Sequence, residues 1–245
     1  MQRIKLRQIL LVSAGYFTPS AGPNFSAFLT FLLLLSASTI QAQNSVAGDR
    51  EAYVKVITER AAKIVANLGI SDAAQTEKVT HIIRDQYNNL NEIYSRRDSN
   101  IKSIKAQYPN DKALRDTALS AEARKAEQAL AKLHPRYLRN LNRNLTAAQV
   151  DQVKNGMTYN VLPITYQAYQ EEILTLSEAQ KQQILTWLTE AREHAMDAES
   201  SNKKHAWFGK YKGRINNYLS AAGYDLKKEG IEWQKRIKAK ADSKD

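Results

Sequence analysis

The chain has no cysteine, four histidines, nine glycines and five prolines in 245 residues. Without cysteine there is no disulfide framework, no thiolate metal site and no cysteine nucleophile. Scarce glycine and proline exclude collagen-like and Gly/Pro-rich disordered chains. They also disfavour an all-β fold, whose many reversals draw on those two residues. His81, His134, His194 and His205 are scattered, with no His-Glu-x-x-His among them, so no metal site is expected. A Gly-x-Ser-x-Gly elbow, a phosphate loop and a dinucleotide fingerprint are missing too. No cofactor is therefore expected.

Acidic residues are absent before Asp49, where Arg3, Lys5 and Arg7 are the only charges. An apolar run follows from Phe25 to Ile40, densest at Phe31–Leu35, and gives way to Ser36-Ala37-Ser38 and Gln41-Ala42-Gln43. A basic start, a short apolar middle and a small-residue exit describe a secretory signal cleaved near Ala42. The run is shorter than the ~20 residues a spanning helix needs; an uncleaved anchor is the alternative. Residues 1–42 thus read as a signal peptide and 43–245 as a single all-helical domain, soluble, and periplasmic or secreted. Lys and Arg exceed Asp and Glu by eleven over the whole chain and by eight beyond residue 42. Export disfavours nucleic acid as the partner of that charge. Anionic glycans, an anionic membrane surface, acidic proteins or plain solubility remain.

Beyond the leader the periodicity is helical nearly throughout. Val54, Ile57, Ala61, Ile64 and Leu68 recur at three- and four-residue steps, and Gly69 offers a stop. Val79, Ile82, Ile83, Leu90, Ile93, Ile101 and Ile104, with Tyr87 and Tyr94, mark one helix of more than 30 residues, about 50 Å long. Residues from Asp111 to Leu133 are rich in helix formers, and Pro135 is expected to interrupt or restart that helix. Tyr159 to Tyr169 reads as an extended link followed by a helix that begins at Pro163. The expected architecture is all-α: a single helical bundle with one long helix.

One pattern repeats. Leu145-Thr146-Ala147-Ala148-Gln149 returns as Leu176-Ser177-Glu178-Ala179-Gln180, and Ile70-Ser71-Asp72-Ala73-Ala74-Gln75 is a looser copy. A hydroxyl followed three residues later by Gln is a capping box that starts a helix. The pattern also resembles the Leu-Thr-x-x-Gln motif of small periplasmic chaperones related to spheroplast protein Y. That resemblance implies a helical cradle that holds unfolded clients without ATP.

All three tryptophans lie between Trp187 and Trp233. On a helix over 203–222, Phe208, Ile215 and Leu219 share a core-facing stripe, and Trp207, Tyr211, Arg214 and Tyr218 form a second stripe beside it. Gly209 and Gly213 fall on the far side, each costing roughly 1 kcal/mol against Ala. They imply an approaching backbone, a ligand or a broken helix. The preceding segment supplies Glu190, Glu193, His194 and Asp197, with Lys203, Lys204 and His205 in the connection. Rings beside carboxylates, imidazoles and cations suit a polyhydroxylated ligand; the alternative is that the rings complete the core.

The runs Arg192-Glu193-His194-Ala195-Met196-Asp197-Ala198, Lys204 to Leu219 and Met157-Thr158-Tyr159-Asn160-Val161-Leu162-Pro163 resemble a secreted bacterial all-helical family of unknown function. That family accompanies polysaccharide-degrading enzymes and has carried a sugar-binding label. The resemblance implies an exported accessory protein, with no established catalytic residues to carry over. The expected carbohydrate contacts are Trp207, Tyr211, Arg214, Tyr218, Asn217, Lys210, His205, His194, Glu193, Asp197 and Tyr159, and the ligand is a carbohydrate that extends to anionic glycans. The chaperone-like cradle is the alternative. A uronate-acting lyase using Tyr211, Arg214 and His205, or a hydrolase using Glu193 and Asp197, is the minor one; binding is favoured over catalysis. Expression with the leader in a bacterial host is expected to yield a product beginning near Gln43, which mass spectrometry of the exported protein would show.

Overall fold

The computed structural model describes residues 49–242; the expected signal segment and its cleavage site lie outside them. From Glu51 on, the described chain is one compact unit. It is all-helical, with no strand among the described residues. The helices are α1 (49–65), α2 (Ala73–Gln107), α3 (Lys112–Asn142), α4 (Ala147–Met157), α5 (Val161–Glu172), α6 (Glu178–Met196), α7 (Ser201–Ala221) and α8 (Leu226–Asp242). None is long and apolar enough to cross a membrane.

The helix starts follow from their caps. Asp72 accepts the Gln75 N–H and Asp111 the Leu114 N–H, at 2.7 and 2.9 Å. Thr146/Gln149 and Ser177/Gln180 form full capping boxes, so two copies of the repeat are helix starts. In the third copy Asp72, not Ser71, is the cap. Its Gln75 reaches across instead. Gln75 Nε2 donates to the Asn144 carbonyl after α3 (2.6 Å), and Gln149 Nε2 donates to the Leu68 carbonyl after α1 (3.0 Å). Each helix-start glutamine thus satisfies a carbonyl in the turn that precedes the other's helix. The repeated motif clamps the α1–α2 and α3–α4 turns together.

The single bundle with one long helix proves too simple. Two helices exceed thirty residues, α2 with 35 and α3 with 31. Joined by residues 108–111 and packed on each other, they form a long αα-hairpin. Pro135 lies inside α3 without ending it. One core gathers Ile57, Ala61, Val79, Ile83, Tyr137, Leu141, Val153 and Met157 from α1 to α4, and Met196 from the end of α6. The other gathers Leu162, Tyr169, Ile184, Leu188, Phe208, Ile215 and Leu219 from α5 to α7. The stripe of Phe208, Ile215 and Leu219 is buried to within 1 %, as its spacing predicts.

The expected extended link is instead a tight left-handed turn. Tyr159 and Asn160 have φ of 58° and 56°, and α5 begins two residues before Pro163. Helix start signals outweigh the β-branched composition here, because Pro163 fits the first turn, where its missing N–H costs nothing.

Removing either cross-reaching glutamine, as Gln75→Ala or Gln149→Ala, is expected to cost about 1 kcal/mol. The double variant should lose less than the sum, since both bonds serve one clamp. Urea unfolding followed by circular dichroism would measure this.

Candidate functional site

A cleft of about 630 Å3 opens where α3 meets α6 and α7. From α3 it takes Glu127, Leu130, Ala131, His134 and Pro135; Glu193, His194 and Asp197 come from the end of α6, Trp207 from α7 and Tyr94 from α2. Pro135 has a structural effect here. Lacking an N–H, it leaves the Ala131 carbonyl, one turn back, without its helical donor, and both residues line the cleft.

An ion cluster holds these elements in place. His134 Nδ1 lies 2.8 Å from Asp197 Oδ2, and Nε2 lies 3.4 Å from Glu193 Oε2. Lys154 of α4 reaches both Glu193 oxygens at 3.0 and 3.1 Å. Arg192, 5 % exposed, donates to Asn155 Oδ1 and Asp151 Oδ1 of α4, both at 2.8 Å. Tyr94 Oη donates to the Asp197 carbonyl at 2.6 Å. Hydrogen bonds from the imidazole to Asp197 and then Glu193 raise His134 to about 9, against the pull of burial. Burial alone would raise Glu193, but His134, Lys154 and Arg192 outweigh it and bring the carboxyl down to about 2. At neutral pH His134 is therefore an imidazolium with both N–H groups engaged, and it serves as a strut, not a base. Glu193 and Asp197 are its partners, so they are not a free acid/base pair. Asp197 Oδ1 is buried without a hydrogen-bond partner.

The aromatic stripe divides. Trp207 lines the cleft and stacks on His194, with centroids 4.3 Å apart and planes at 15°; Lys210 Nζ sits 5.1 Å from the Trp207 centroid. Tyr211 turns into the second core at 9 % exposure. Arg214 and Tyr218 gather on Trp187 instead. The guanidinium lies 4.4 Å from its ring centroid, Tyr218 meets it edge-on at 5.3 Å, and Arg214 pairs with Glu190 at 3.7 Å. Asn217 is exposed and apart from these groups. The reason is length. Trp207 and Tyr218 are about 16 Å apart along the helix, so α7 zips its stripe against the α6 flank of His194, Glu190 and Trp187 in reverse order. Much of what reads as a ligand face in sequence is the α6–α7 seam. Gly209 and Gly213 lie within an unbroken α7, and a Cβ at either would meet nothing within 4 Å, so no backbone approaches them.

His205 and Tyr159 sit elsewhere. They stack on each other, 5.4 Å apart and 12° from parallel, beside buried Lys204. Lys204 Nζ donates to the Ala195 and Met196 carbonyls at the end of α6, both at 3.0 Å. Burial lowers it to about 8, and Asp197 offsets part of that effect. Tyr211 and Arg214 thus share Glu190 as a partner, while His205 lies apart on Tyr159, so the three residues expected for uronate β-elimination are not brought together. Of the expected contacts, Glu193, His194, Asp197 and Trp207 share the cleft. Its other polar residues, Tyr94, Glu127 and His134, were not expected. Tyr94 reads in sequence as part of a helix seam and His134 as a lone histidine. The signal for His134 was its neighbour, since a proline within a strong helical pattern marks a special position.

Residues 54–239 match a family described as a protein of unknown function (DUF3826), and the chain belongs to that family. None of the curated proteins matches it.

The His134 cluster makes a pH prediction. A raised folded-state value stabilises fully below the unfolded value of 6.5, and that stabilisation is lost as pH rises through about 9. The wild-type advantage over His134→Gln is expected to shrink by roughly 2 kcal/mol between pH 6.5 and 9.5. Lys204, whose lowered value acts in the opposite sense, is common to both proteins and cancels. Denaturant midpoints across that range would show it.

Proposed function

We propose that the chain is an exported accessory protein, periplasmic or secreted, that binds carbohydrate in the cleft between α3 and the α6–α7 pair. The observation that carries this reading is the Trp207 ring bordering a cleft that also presents three carboxylates, two imidazoles and a tyrosine hydroxyl. Exposed Glu127 and the Ala131 carbonyl freed by Pro135 are open to accept hydrogen bonds, and sugar hydroxyls supply donors; Glu193 and Asp197 are held by His134 and Lys154 and frame the site. Leu130 and Pro135 add apolar surface, and the volume lies within the range of small-molecule pockets. His134 and Lys154 offset Glu193 and Asp197, so little surplus charge remains in the cleft and a neutral sugar is favoured. The basic, apolar, small-residue order of residues 1–42 supports export, and the sequence resemblance to a family with a sugar-binding label points the same way.

The chaperone-like reading rested on the repeated motif and on the net positive charge; two copies of the motif form capping boxes and its glutamines clamp two turns. No specific observation favours it over the cleft.

Isothermal titration and affinity gels with neutral plant and bacterial polysaccharides would test the proposal. Trp207→Ala and Glu127→Gln are each expected to weaken binding at least tenfold while leaving the helical circular dichroism unchanged. Binding that survives both substitutions would remove the cleft from the mechanism.

A further inference from the structure

The surface around His205 and Tyr159 plays no part in that reading, yet it is the more basic hollow. It holds about 450 Å3 between α1, α4 and the start of α7. Arg60, Lys63 and Lys204 line it, and no acidic residue does. None of these three cations has a carboxylate within ion-pair distance among the described residues, whereas Arg192, Lys154 and Arg97 all do. Arg60 rests on the Tyr87 ring, 5.4 Å from its centroid. Lys204 is 6 % exposed, and its two carbonyl bonds use two of three ammonium hydrogens. Arg60 and Lys63 are exposed, but Lys204 holds its charge under cover with only partial help from Asp197, which is costly unless something supplies a closer counter-charge.

The backbone contributes as well. Two consecutive non-glycine residues in the left-handed region cost on the order of 1–3 kcal/mol each, and a bulky tyrosine there is unusual. Tyr159 and Asn160 both line the hollow. Asn160 opens α5 without a side-chain cap bond, which leaves its amide uncommitted to the helix. Tyr159 stays 45 % exposed with a ring face on His205. Gly156 lets α1 come close to α4: a Cβ there would stand 3.0 Å from Ile64 Cγ1.

We propose that this hollow is a second binding site, which takes the carboxylate of an acidic sugar. Arg60, Lys63 and Lys204 meet the anion, the amide of Asn160 and the Nδ2 of Asn155, whose Oδ1 is held by Arg192, read neighbouring hydroxyls, and Tyr159 offers its ring to the sugar's apolar face. Amides and an aromatic face among the cations favour a uronate over a bare inorganic anion. The inference depends on the carbohydrate reading for the ligand's class, but not on the Trp207 cleft. The two hollows are linked by a smaller one, which shares Tyr94 and Ala198 with the cleft and Arg60, Tyr87, Tyr159 and Lys204 with the basic hollow.

The test is calorimetric titration of the exported protein with trigalacturonate, a neutral galactose trisaccharide and inorganic sulfate, at low and high salt. Arg60→Ala/Lys63→Ala removes two exposed cations, and Tyr159→Asn removes the ring while keeping a residue that tolerates the left-handed turn. Each variant is expected to weaken trigalacturonate at least tenfold with an unchanged melting temperature, and Trp207→Ala to alter it less than twofold. Wild-type affinity should fall as salt rises. Undiminished trigalacturonate binding by both hollow variants would overturn the inference. So would sulfate binding as tightly as trigalacturonate. Trigalacturonate binding lost only in Trp207→Ala overturns it while leaving the carbohydrate reading intact; failure of every saccharide overturns both.

Discussion

The end of α6 is the place on which the rest of the structure depends, and the His134 imidazolium between Glu193 and Asp197 fixes it. α6 belongs to both cores: Leu188, Ala191 and Ala195 pack in the second, and Met196 packs in the first. The charged cluster ties that shared helix to α3 through His134 and to α4 through Lys154 and Arg192. A hydrophobic replacement of such a cluster can be as stable or more so. Its contribution here is position: the carboxylates, the Trp207–His194 stack and Lys204 all hang from the last turn of α6 or the residues just after it.

Both hollows then appear as consequences of how this one terminus is satisfied. On one side Asp197 takes the histidine and receives Tyr94 at its carbonyl. On the other, the last carbonyls of the helix draw in Lys204, as the negative end of a helix dipole should. One hollow is lined by three carboxylates and the other by three cations, although they border the same few residues.

The helical class, the caps and most core positions were legible because each rests on local physics. The spacing of Phe208, Ile215 and Leu219 identifies a buried face without knowing what covers it, and Thr146/Gln149 or Ser177/Gln180 name a helix start by themselves. What was not legible depends on which helices become neighbours. The Trp207-to-Tyr218 stripe looks like a ligand face until α6 is laid antiparallel to it. His134 and Glu193 are 59 positions apart in sequence, and neither gives a local sign of the other. The turn at Tyr159 misled for a different reason. Its β-branched and aromatic neighbours favour extended backbone on composition, but the chain reverses there between two helices and settles in a conformation those residues avoid.

Pro135 carries a consequence of its own. The acceptor it frees belongs to the main chain of Ala131, a residue of the cleft lining, so no exchange of the alanine side chain can erase it. It exists because an imino acid four positions later has no hydrogen to give. That acceptor is thus encoded remotely, at a residue whose own ring contributes only apolar surface. Any ordinary amino acid at that position would mend the helix and, in the same stroke, take that acceptor away.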